Sequence, residues 1–244
     1  MTNLYYDVLG IIRWKRNSDV HFHFEADKRS DSTTSQDDNN LTENNSPLIQ
    51  IDSQIRLSQW QSLQSQVAQC SACSLHQSRT QTVFGVGNQN AELMFIGEAP
   101  GFYEDQQGEP FVGRAGQLLN AMLAAIRLNR NDVYIANILK CRPPNNRDPN
   151  PDEVKTCTAF LDQQIALVNP KLMIALGRIA AHYLLKTKSS LESYRNQLHH
   201  YGQQKTPLII TYHPAYLLRN PRDKKKAYRD LQFIEQVLSL RATA

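Results

Sequence analysis

Short apolar runs alternate with helical patterns through most of the chain. Four of these runs predict buried strands, at 92–96, 133–138, 171–176 and 207–212. Apolar residues recur at helical spacing between and after them, at 116–128, 152–168, 178–186 and 224–240. Because strands that alternate with helices form parallel sheets, the pattern favours an α/β fold with a mostly parallel central sheet.

The first 60 residues follow a different pattern. Residues 5–16, YYDVLGIIRWKR, combine bulky apolar residues with a basic end, whereas residues 27–47 are rich in Asp, Asn, Ser and Thr. We expect the second stretch to be a disordered linker, because it cannot bury enough apolar surface to offset the entropy of ordering. The first is either a partner-binding peptide or a helix that packs back on the body. Helical spacing returns at 51–69, and we divide the chain into an extension, 1–60, and a body, 61–244.

The composition is that of an ordinary globular protein. Of 244 residues, 41% are hydrophobic and 20% are charged. No apolar run approaches the ~18 residues of a membrane span, and the N-terminus lacks the residue order of a signal peptide. We therefore expect a cytoplasmic protein without a membrane segment. Collagen-like, membrane-spanning and disulfide-stapled secreted proteins are excluded.

Charge is spread unevenly along the chain. The extension carries six basic and nine acidic residues, and the body carries 21 and 14, so their formal charges are −3 and +7. A basic body favours an anionic partner, with nucleic acid as the first candidate. A basic domain without such a partner is the alternative, and charge alone does not decide between them.

The four cysteines suggest a metal centre. Cys70 and Cys73 form a C-x2-C pair; 67 residues separate Cys73 from Cys141, and 15 separate Cys141 from Cys157. Lys140 precedes Cys141 and Arg142 follows it, which favours the thiolate form of Cys141. Four-cysteine zinc sites usually contain two close pairs, so the single close pair favours an iron–sulfur cluster over zinc. A redox dithiol at the C-x2-C pair and two ordinary buried thiols stay open as alternatives.

A polar segment that contains Gly or Pro lies at the end of each predicted strand. They contain GEAPG after the first strand, NILKCRPP on the second, ALGR after the third and YHPAYLLR after the fourth. Ligands of such sheets bind beyond the carboxyl ends of the strands, so these loops should meet at one rim. Each loop alone is equally an ordinary Gly- and Pro-rich connection.

Two polar residues at this rim are suited to a planar base. Asn137 lies in an apolar strand, and its amide can donate and accept at once, as the edge of a pyrimidine ring requires. His213 stands between a strand end and Pro214, where it can stabilise negative charge on a leaving group. For each, the alternative is a side chain satisfied by the neighbouring backbone.

The segment after His213 is suited to DNA. Leu217 and Leu218 can act as a wedge in a base stack, or as core leucines. A basic tract follows, which suits phosphates or forms a solvated helix face: Arg219, Arg222, Lys224, Lys225, Lys226 and Arg229.

Taken together, these segments resemble the iron–sulfur uracil-DNA glycosylases, family 4 of the uracil-DNA glycosylase superfamily. The matching segments are Cys70-x2-Cys73, GEAPG at 97–101, Glu104-Asp105, PFVG-x-AG at 110–116, Asn137, LKCRPPNNRDP at 139–149, Cys157 and His213-Pro214. The resemblance covers nearly the whole body. It implies a three-layer α/β/α domain and a monofunctional hydrolase that releases uracil from DNA and leaves an abasic site, as in base excision repair.

The resemblance also implies a role for individual residues. Phe111 would stack on a flipped-out uracil, Asn137 would bind its N3–H and O4, and Gly97 would lie in the same site. Glu104 would exclude the 5-methyl group of thymine. His213 would donate a hydrogen bond to O2 of the departing uracil. The cysteines would hold a structural 4Fe–4S cluster: Cys70, Cys73, Cys141 and Cys157.

Water activation and DNA contact follow less directly. Many superfamily members have an Asp where this chain has Ala99, so Glu98 is a candidate general base by proximity only. Leu217 would be the minor-groove wedge, with Arg142 and Arg219 as further DNA contacts.

Two other interpretations stay open. The first is a non-catalytic module of the same fold that binds DNA or a replication protein. The second is a zinc-stabilised α/β hydrolase of free nucleosides. A variant that bonds covalently to abasic DNA carries GEQPG and a His-bearing insertion, and neither occurs here.

The extension has a resemblance of its own. Its LGIIRW run is similar to the N-terminal peptide of the psi subunit of bacterial DNA polymerase III, which docks on a clamp-loader partner. Residues 1–20 are therefore a candidate tether to a replication or repair protein. For the whole chain we expect a monomer.

Overall fold

The computed structural model describes residues 47–242, and side chains for residues 54–240. The predicted motif at 5–16 and the linker up to residue 46 lie outside the described residues. The strands are β1 (Val86–Gly87), β2 (Leu93–Gly97), β3 (Tyr134–Asn137), β4 (Leu172–Leu176), β5 (His199–Tyr201) and β6 (Thr206–Thr211). The helices are α1 (Pro47–Ala68), α2 (Phe102–Gln107), α3 (Arg114–Ala125), α4 (Pro151–Val168), α5 (Arg178–Leu185), α6 (Pro214–Arg219) and α7 (Lys224–Ala242).

The strands form one sheet in the order β1-β3-β2-β4-β6-β5. The four predicted strands, β2, β3, β4 and β6, pair in parallel. The short edge strands β1 and β5 pair antiparallel with β3 and β6. The prediction of an α/β fold with a mostly parallel sheet is therefore confirmed.

Two apolar layers cover the sheet, and successive strand residues alternate between them. Phe95 and Ile135 face the layer that contains α3, α6 and α7. Met94 and Ile96 face the layer formed with α1, α4 and α5. The central strands are apolar throughout because both of their faces are covered. This arrangement confirms the three-layer α/β/α architecture.

The first described helix belongs to the body of the protein. Trp60 on α1 is 4% exposed, and its ring lies edge-on to the rings of Phe84 and Tyr134 at 5.3 and 5.4 Å. The division that we drew after residue 60 thus falls inside α1, and Trp60 packs in the core of the domain. Within residues 47–242, no helix has the length and apolarity that crossing a bilayer requires.

Candidate active site

Residues at the carboxyl ends of β2 and β3 come together with Phe111 and His213, and we call this group the pocket. Gly97 and Asn137 are paired across these strands. A Cβ atom on Gly97 would lie 2.3 Å from Oδ1 of Asn137 and 2.8 Å from Cζ of Phe111, so the three residues meet at one point. The chain leaves β2 toward β3 on one side, and β4 lies on the other, which makes this end of β2 the topological switch point where such sheets bind ligands.

Asn137 presents an unsatisfied polar atom in this pocket. The residue is 2% exposed, and its Oδ1 has no hydrogen-bond partner among the described residues. Buried side-chain polar atoms are rarely left unpaired, because an unpaired one costs about 1–3 kcal/mol. The alternative of an Asn satisfied by neighbouring backbone therefore does not apply to this oxygen. A ligand with an N–H donor would satisfy it.

Lys140 supports the backbone of Asn137 by a hydrogen bond. Its side chain is buried, and Nζ donates hydrogen bonds to the carbonyl of Asn137 at 2.7 Å and to Oε1 of Gln164 at 2.6 Å. Burial lowers the pKa of Lys140 to about 8, and the nearby Cys157 opposes this shift. This role of Lys140 was not predicted, although a lysine inside the apolar run NILKC is itself an unusual feature.

Phe111 is held in an unusual conformation beside this amide. Its φ is +57°, in the left-handed region that residues other than glycine seldom adopt. Arg130 donates hydrogen bonds to the carbonyls of Phe111 at 3.2 Å and Pro110 at 2.7 Å. A Cβ atom on Gly116 would lie only 1.6 Å from the carbonyl oxygen of Phe111, so only glycine fits there. The ring is thus fixed by its backbone, and Arg130 was not predicted.

Glu104 braces the loop that carries Phe111. Oε1 accepts hydrogen bonds from the amides of Val112 and Gly113 at 3.2 and 3.4 Å, and Oε2 accepts one from Gly101 at 3.1 Å. The carboxylate therefore orders both ends of the segment from residue 101 to 113. Its contact with the 5-position of a base stays a prediction.

His213 caps α6 and lies near Phe111. The two ring centroids are 5.5 Å apart. Nδ1 of His213 accepts a hydrogen bond from the amide of Ala215 at 3.1 Å, which leaves the proton of the neutral ring on Nε2. Burial, with a smaller effect of Arg219, lowers the pKa of His213 to about 4, so the ring is neutral at pH 7. Gly177, with φ +90°, packs against its Cβ.

Glu98 is the residue after Gly97 and is half-buried. Burial raises the pKa of Glu98 to about 7, the negative charge of Asp148 adds to the shift, and Arg178 opposes it. Arg178 and Asp148 form an ion pair of 3.0 Å. A carboxyl group with a pKa near neutrality can take up a proton at physiological pH, which is the property of a general base.

The predicted DNA contacts are placed unequally. Arg219 is exposed, and the guanidinium of Arg142 lies 5.0 Å from the ring centroid of Phe102. Leu217 is 1% exposed and belongs to the core, whereas Leu218 is partly exposed. The role of Leu217 as the wedge stays a prediction; α6 turns this side chain inward, so it would have to leave the core to enter a base stack.

The basic tract after α6 is partly engaged within the protein. Lys226 forms ion pairs of 3.0 Å with Glu192 and with Asp223. Arg222, Lys225 and Arg229 are exposed. The tract is thus only in part a free phosphate-binding surface.

The four cysteines are free thiols that line one cavity. Its other lining residues are apolar, polar or basic, with no carboxylate: Val67, Ala72, His76, Arg79, Lys140, Thr156 and Phe160. Arg79 donates a hydrogen bond to Sγ of Cys141 at 3.1 Å, and the backbone amide of Lys140 donates one to Sγ of Cys157 at 3.2 Å. Soft sulfur donors beside cationic groups fit an iron–sulfur cluster or zinc.

Burial is the main influence on the pKa of two of the four thiols. Burial raises the pKa of Cys141, which Arg79 opposes, and raises that of Cys157 to about 11, which Lys140 opposes. In the part of the chain that the structure describes, no three His, Cys, Asp or Glu side chains are already arranged to hold a single metal ion. Their shared cavity nevertheless argues against two unrelated buried thiols.

Known proteins match this chain over the residues that form the pocket. A family model described as the uracil DNA glycosylase superfamily matches residues 84–232, which include every pocket residue from Gly97 to His213. A type-4 uracil-DNA glycosylase of Archaeoglobus fulgidus is 43% identical over 179 residues, 70% of this chain and 89% of that protein. One of Thermotoga maritima is 47% identical over 156 residues, 63% of this chain and 80% of that protein.

Proposed function

Because this chain belongs to the type-4 uracil-DNA glycosylases of the uracil-DNA glycosylase superfamily, we propose that the pocket at Asn137 is the place where it releases uracil from DNA. The protein is a hydrolase that cleaves the N-glycosidic bond of deoxyuridine and leaves an abasic site. The observation that carries the site assignment is the buried, unpaired Oδ1 of Asn137 beside Phe111 and His213. This arrangement favours an enzyme over a non-catalytic module of the same fold.

Recognition of the base follows from the donor pattern of uracil. Its N3–H would donate to Oδ1 of Asn137, and the side-chain amide would donate to O4. Cytosine presents an acceptor at N3 and a donor at N4, so it would leave the same amide unpaired. Phe111 would stack on the ring, and the missing side chain of Gly97 lets Asn137 and Phe111 approach each other closely.

Departure of uracil is assisted by His213. Breaking the glycosidic bond leaves negative charge on the base, and the neutral imidazole can donate its Nε2–H to O2 as this charge develops. A neutral donor costs less to bury than an imidazolium, which agrees with the lowered pKa of His213. Removing one such donor typically costs about 10²–10³ in rate.

Glu98 is our candidate for water activation. It is the residue after Gly97, and its raised pKa permits proton uptake at neutral pH. The attacking water would give its proton to the Glu98 carboxylate as the hydroxyl adds to the sugar carbon. Arg178 and Asp148 set the charge balance around this carboxyl.

The cysteine cavity suits a 4Fe–4S cluster, for which Cys70, Cys73, Cys141 and Cys157 would be the ligands. When bound, the cluster would supply a structural cross-link between three distant segments. Anaerobic purification followed by iron and sulfide analysis and a visible spectrum tests this. We expect a brown protein with iron and sulfide in equal amounts; a colourless zinc protein would contradict the proposal.

The wider context stays a set of predictions. The exposed Arg219 and partly exposed Arg142 are candidates for DNA contact, and Leu218 is better placed than Leu217 for insertion. A replication or repair partner for residues 1–20, cytoplasmic location and a monomeric state are expected from the sequence.

A single-turnover excision assay tests the proposed function. Oligonucleotides with one U, T or C are incubated with excess enzyme, and alkali reveals abasic sites. We expect cleavage at U only. For Asn137→Ala we expect the rate of excision to fall roughly 10²-fold or more, because the edge of the base then has no hydrogen-bond partner. Asn131→Ala, an exposed asparagine outside the pocket, is the matched control. Equal excision by the Asn137→Ala enzyme would overturn the site assignment.

A further inference from the structure

Two adjacent aromatic rings are exposed at the start of α2. Phe102 and Tyr103 are 50% and 59% exposed, and they are the only aromatic residues among the large hydrophobic side chains exposed within residues 54–240. Their ring centroids are 5.4 Å apart and the rings are nearly perpendicular. Neither ring has a part in the pocket chemistry described above, so their exposure calls for a separate explanation.

This aromatic pair lies between the two loops that build the pocket. The guanidinium of Arg142, on the loop that follows Asn137, lies over the ring of Phe102. The Cδ2 atom of Tyr103 lies 3.3 Å from the position of a Cβ on Gly113, two residues after Phe111. The pair therefore lies beside both the loop that follows Asn137 and the loop that carries Phe111.

Hydrogen bonds fix the helix that carries the pair. Glu104 binds the amides of Gly101, Val112 and Gly113, and both carboxylate oxygens of the buried Asp105 accept from the amide of Thr80, at 3.0 and 3.1 Å. A rigid platform loses little conformational entropy when it binds a partner. The rings are thus exposed without being free to move away.

We propose that Phe102 and Tyr103 form a stacking platform for the nucleobases that flank the flipped uracil on the same DNA strand, with Arg142 as its cationic edge. The proposal rests on the proposed function and adds a contact surface to it. Bases of any sequence stack on exposed aromatic rings, and Arg contributes by cation–π contact and by attraction to phosphates. Exposed Arg114 follows Gly113 in the chain and adds a further positive charge to this segment. Two rings beside cations fit a charged strand better than an apolar protein surface, which would require a larger patch.

Equilibrium binding of uracil-free DNA tests the platform separately from excision. The probe is a fluorescein-labelled dT 15-mer, and the full-length chain is titrated into it while anisotropy is followed. We expect the Phe102→Ala/Tyr103→Ala enzyme to bind at least tenfold more weakly. The Phe102→Tyr/Tyr103→Phe enzyme keeps both rings and should bind like the wild type. Leu198→Ala, at another exposed hydrophobic residue (41%), should also leave binding unchanged.

A second probe isolates stacking from packing or charge. The Phe102→Leu/Tyr103→Leu enzyme keeps apolar bulk but loses the rings, and it should bind the dT strand as weakly as the alanine variant. On a 15-mer of abasic sites, which keeps the phosphates and lacks bases, wild type and variants should bind alike. Equal binding of the dT strand by wild type and both ring-deleted variants would overturn the platform. So would an undiminished difference on the abasic strand. If the proposed function alone failed, the wild type would bind the dT strand and excise nothing.

Discussion

The pocket at Asn137 and the cysteine cavity both collect side chains from distant parts of the chain, but they are held in different ways. In the pocket, hydrogen bonds of the protein itself fix the backbone: Glu104 binds loop amides, and Arg130 binds the carbonyls of Pro110 and Phe111. The cysteine sulfurs, within the described residues, receive hydrogen bonds from Arg79 and from the amide of Lys140. On our proposal, their main connection is the cluster.

This difference separates catalysis from stability. A pocket that is built by its own hydrogen bonds should tolerate the loss of one reactive side chain without unfolding. A cavity whose segments are joined through its ligand should lose stability when one ligand is removed. The two regions therefore predict opposite consequences of a single substitution.

His213→Ala offers the largest effect and tests the pocket side of the comparison. We expect the maximal single-turnover rate of uracil excision to fall by about 10²–10³, or roughly 2.7–4 kcal/mol, because the leaving uracil loses its donor. The melting temperature should stay close to that of the wild type. His200→Ala, at an exposed histidine on β5, is the control. A melting temperature that fell along with the rate would show that His213 acts through the fold.

Cys157→Ser tests the other side of the comparison. We expect loss of iron and a free energy of unfolding lower by on the order of 2–3 kcal/mol, which corresponds to a melting temperature lower by roughly 4–12 °C. Ala159→Ser, on the exposed face of the same helix, should change neither quantity. Iron analysis and anaerobic thermal unfolding measure both. Excision lost at full stability would contradict a structural role for this site.

The sequence was sufficient to predict the parallel strands and much of the pocket. The strands were recognisable because sheets covered on both faces leave continuous apolar runs, and loop residues mark where each run ends. The edge strands β1 and β5 have two and three residues, too few to show a pattern. Helices α2 and α6 have six residues each, which is less than two turns.

The supporting residues of the site could not be predicted in the same way. Arg130 and Lys140 donate hydrogen bonds to backbone carbonyls. Every residue has such a carbonyl, so the sequence does not indicate which one is the acceptor. The burial of Leu217 could not be predicted, because two adjacent leucines in PAYLLR do not indicate which one faces the core. Tertiary packing alone decides such positions.

Lys140→Met tests whether the two regions are independent at all. The amide of Lys140 binds Sγ of Cys157, and its Nζ binds the carbonyl of Asn137, so this residue connects the cavity to the pocket. Loss of the buried amine leaves two acceptors unpaired but also removes the desolvation cost of a buried charge, so we expect a net loss of about 1–2 kcal/mol in unfolding free energy. We also expect the half-saturating DNA concentration to rise severalfold. Lys155→Met, at an exposed lysine on α4, is the control. A loss of stability without any change in the half-saturating DNA concentration would show that the two regions are independent.

Glu98→Gln gives the smallest effect at neutral pH and sharpens the pocket side. The pKa of Glu98 is raised to about 7, so a base at this position loses its charge as the pH falls below 7, and excision by the wild type should drop about tenfold between pH 8 and pH 6. His213, with its pKa lowered to about 4, stays neutral over that range and adds no change of its own. The Glu98→Gln enzyme should be slower at pH 8 and nearly independent of pH from 6 to 8.

Linkage provides an independent readout of the same carboxyl group. Because folding raises the pKa of Glu98, its contribution to stability is present below its ordinary pKa and is lost as the pH rises through about 7. The wild type should therefore lose stability relative to Glu98→Gln between pH 5 and pH 8. Glu92→Gln, at an exposed carboxylate before β2, should follow the wild type in both experiments. If excision by Glu98→Gln kept the pH dependence of the wild type, another group would be the general base. The stability measurement would still report the burial of Glu98.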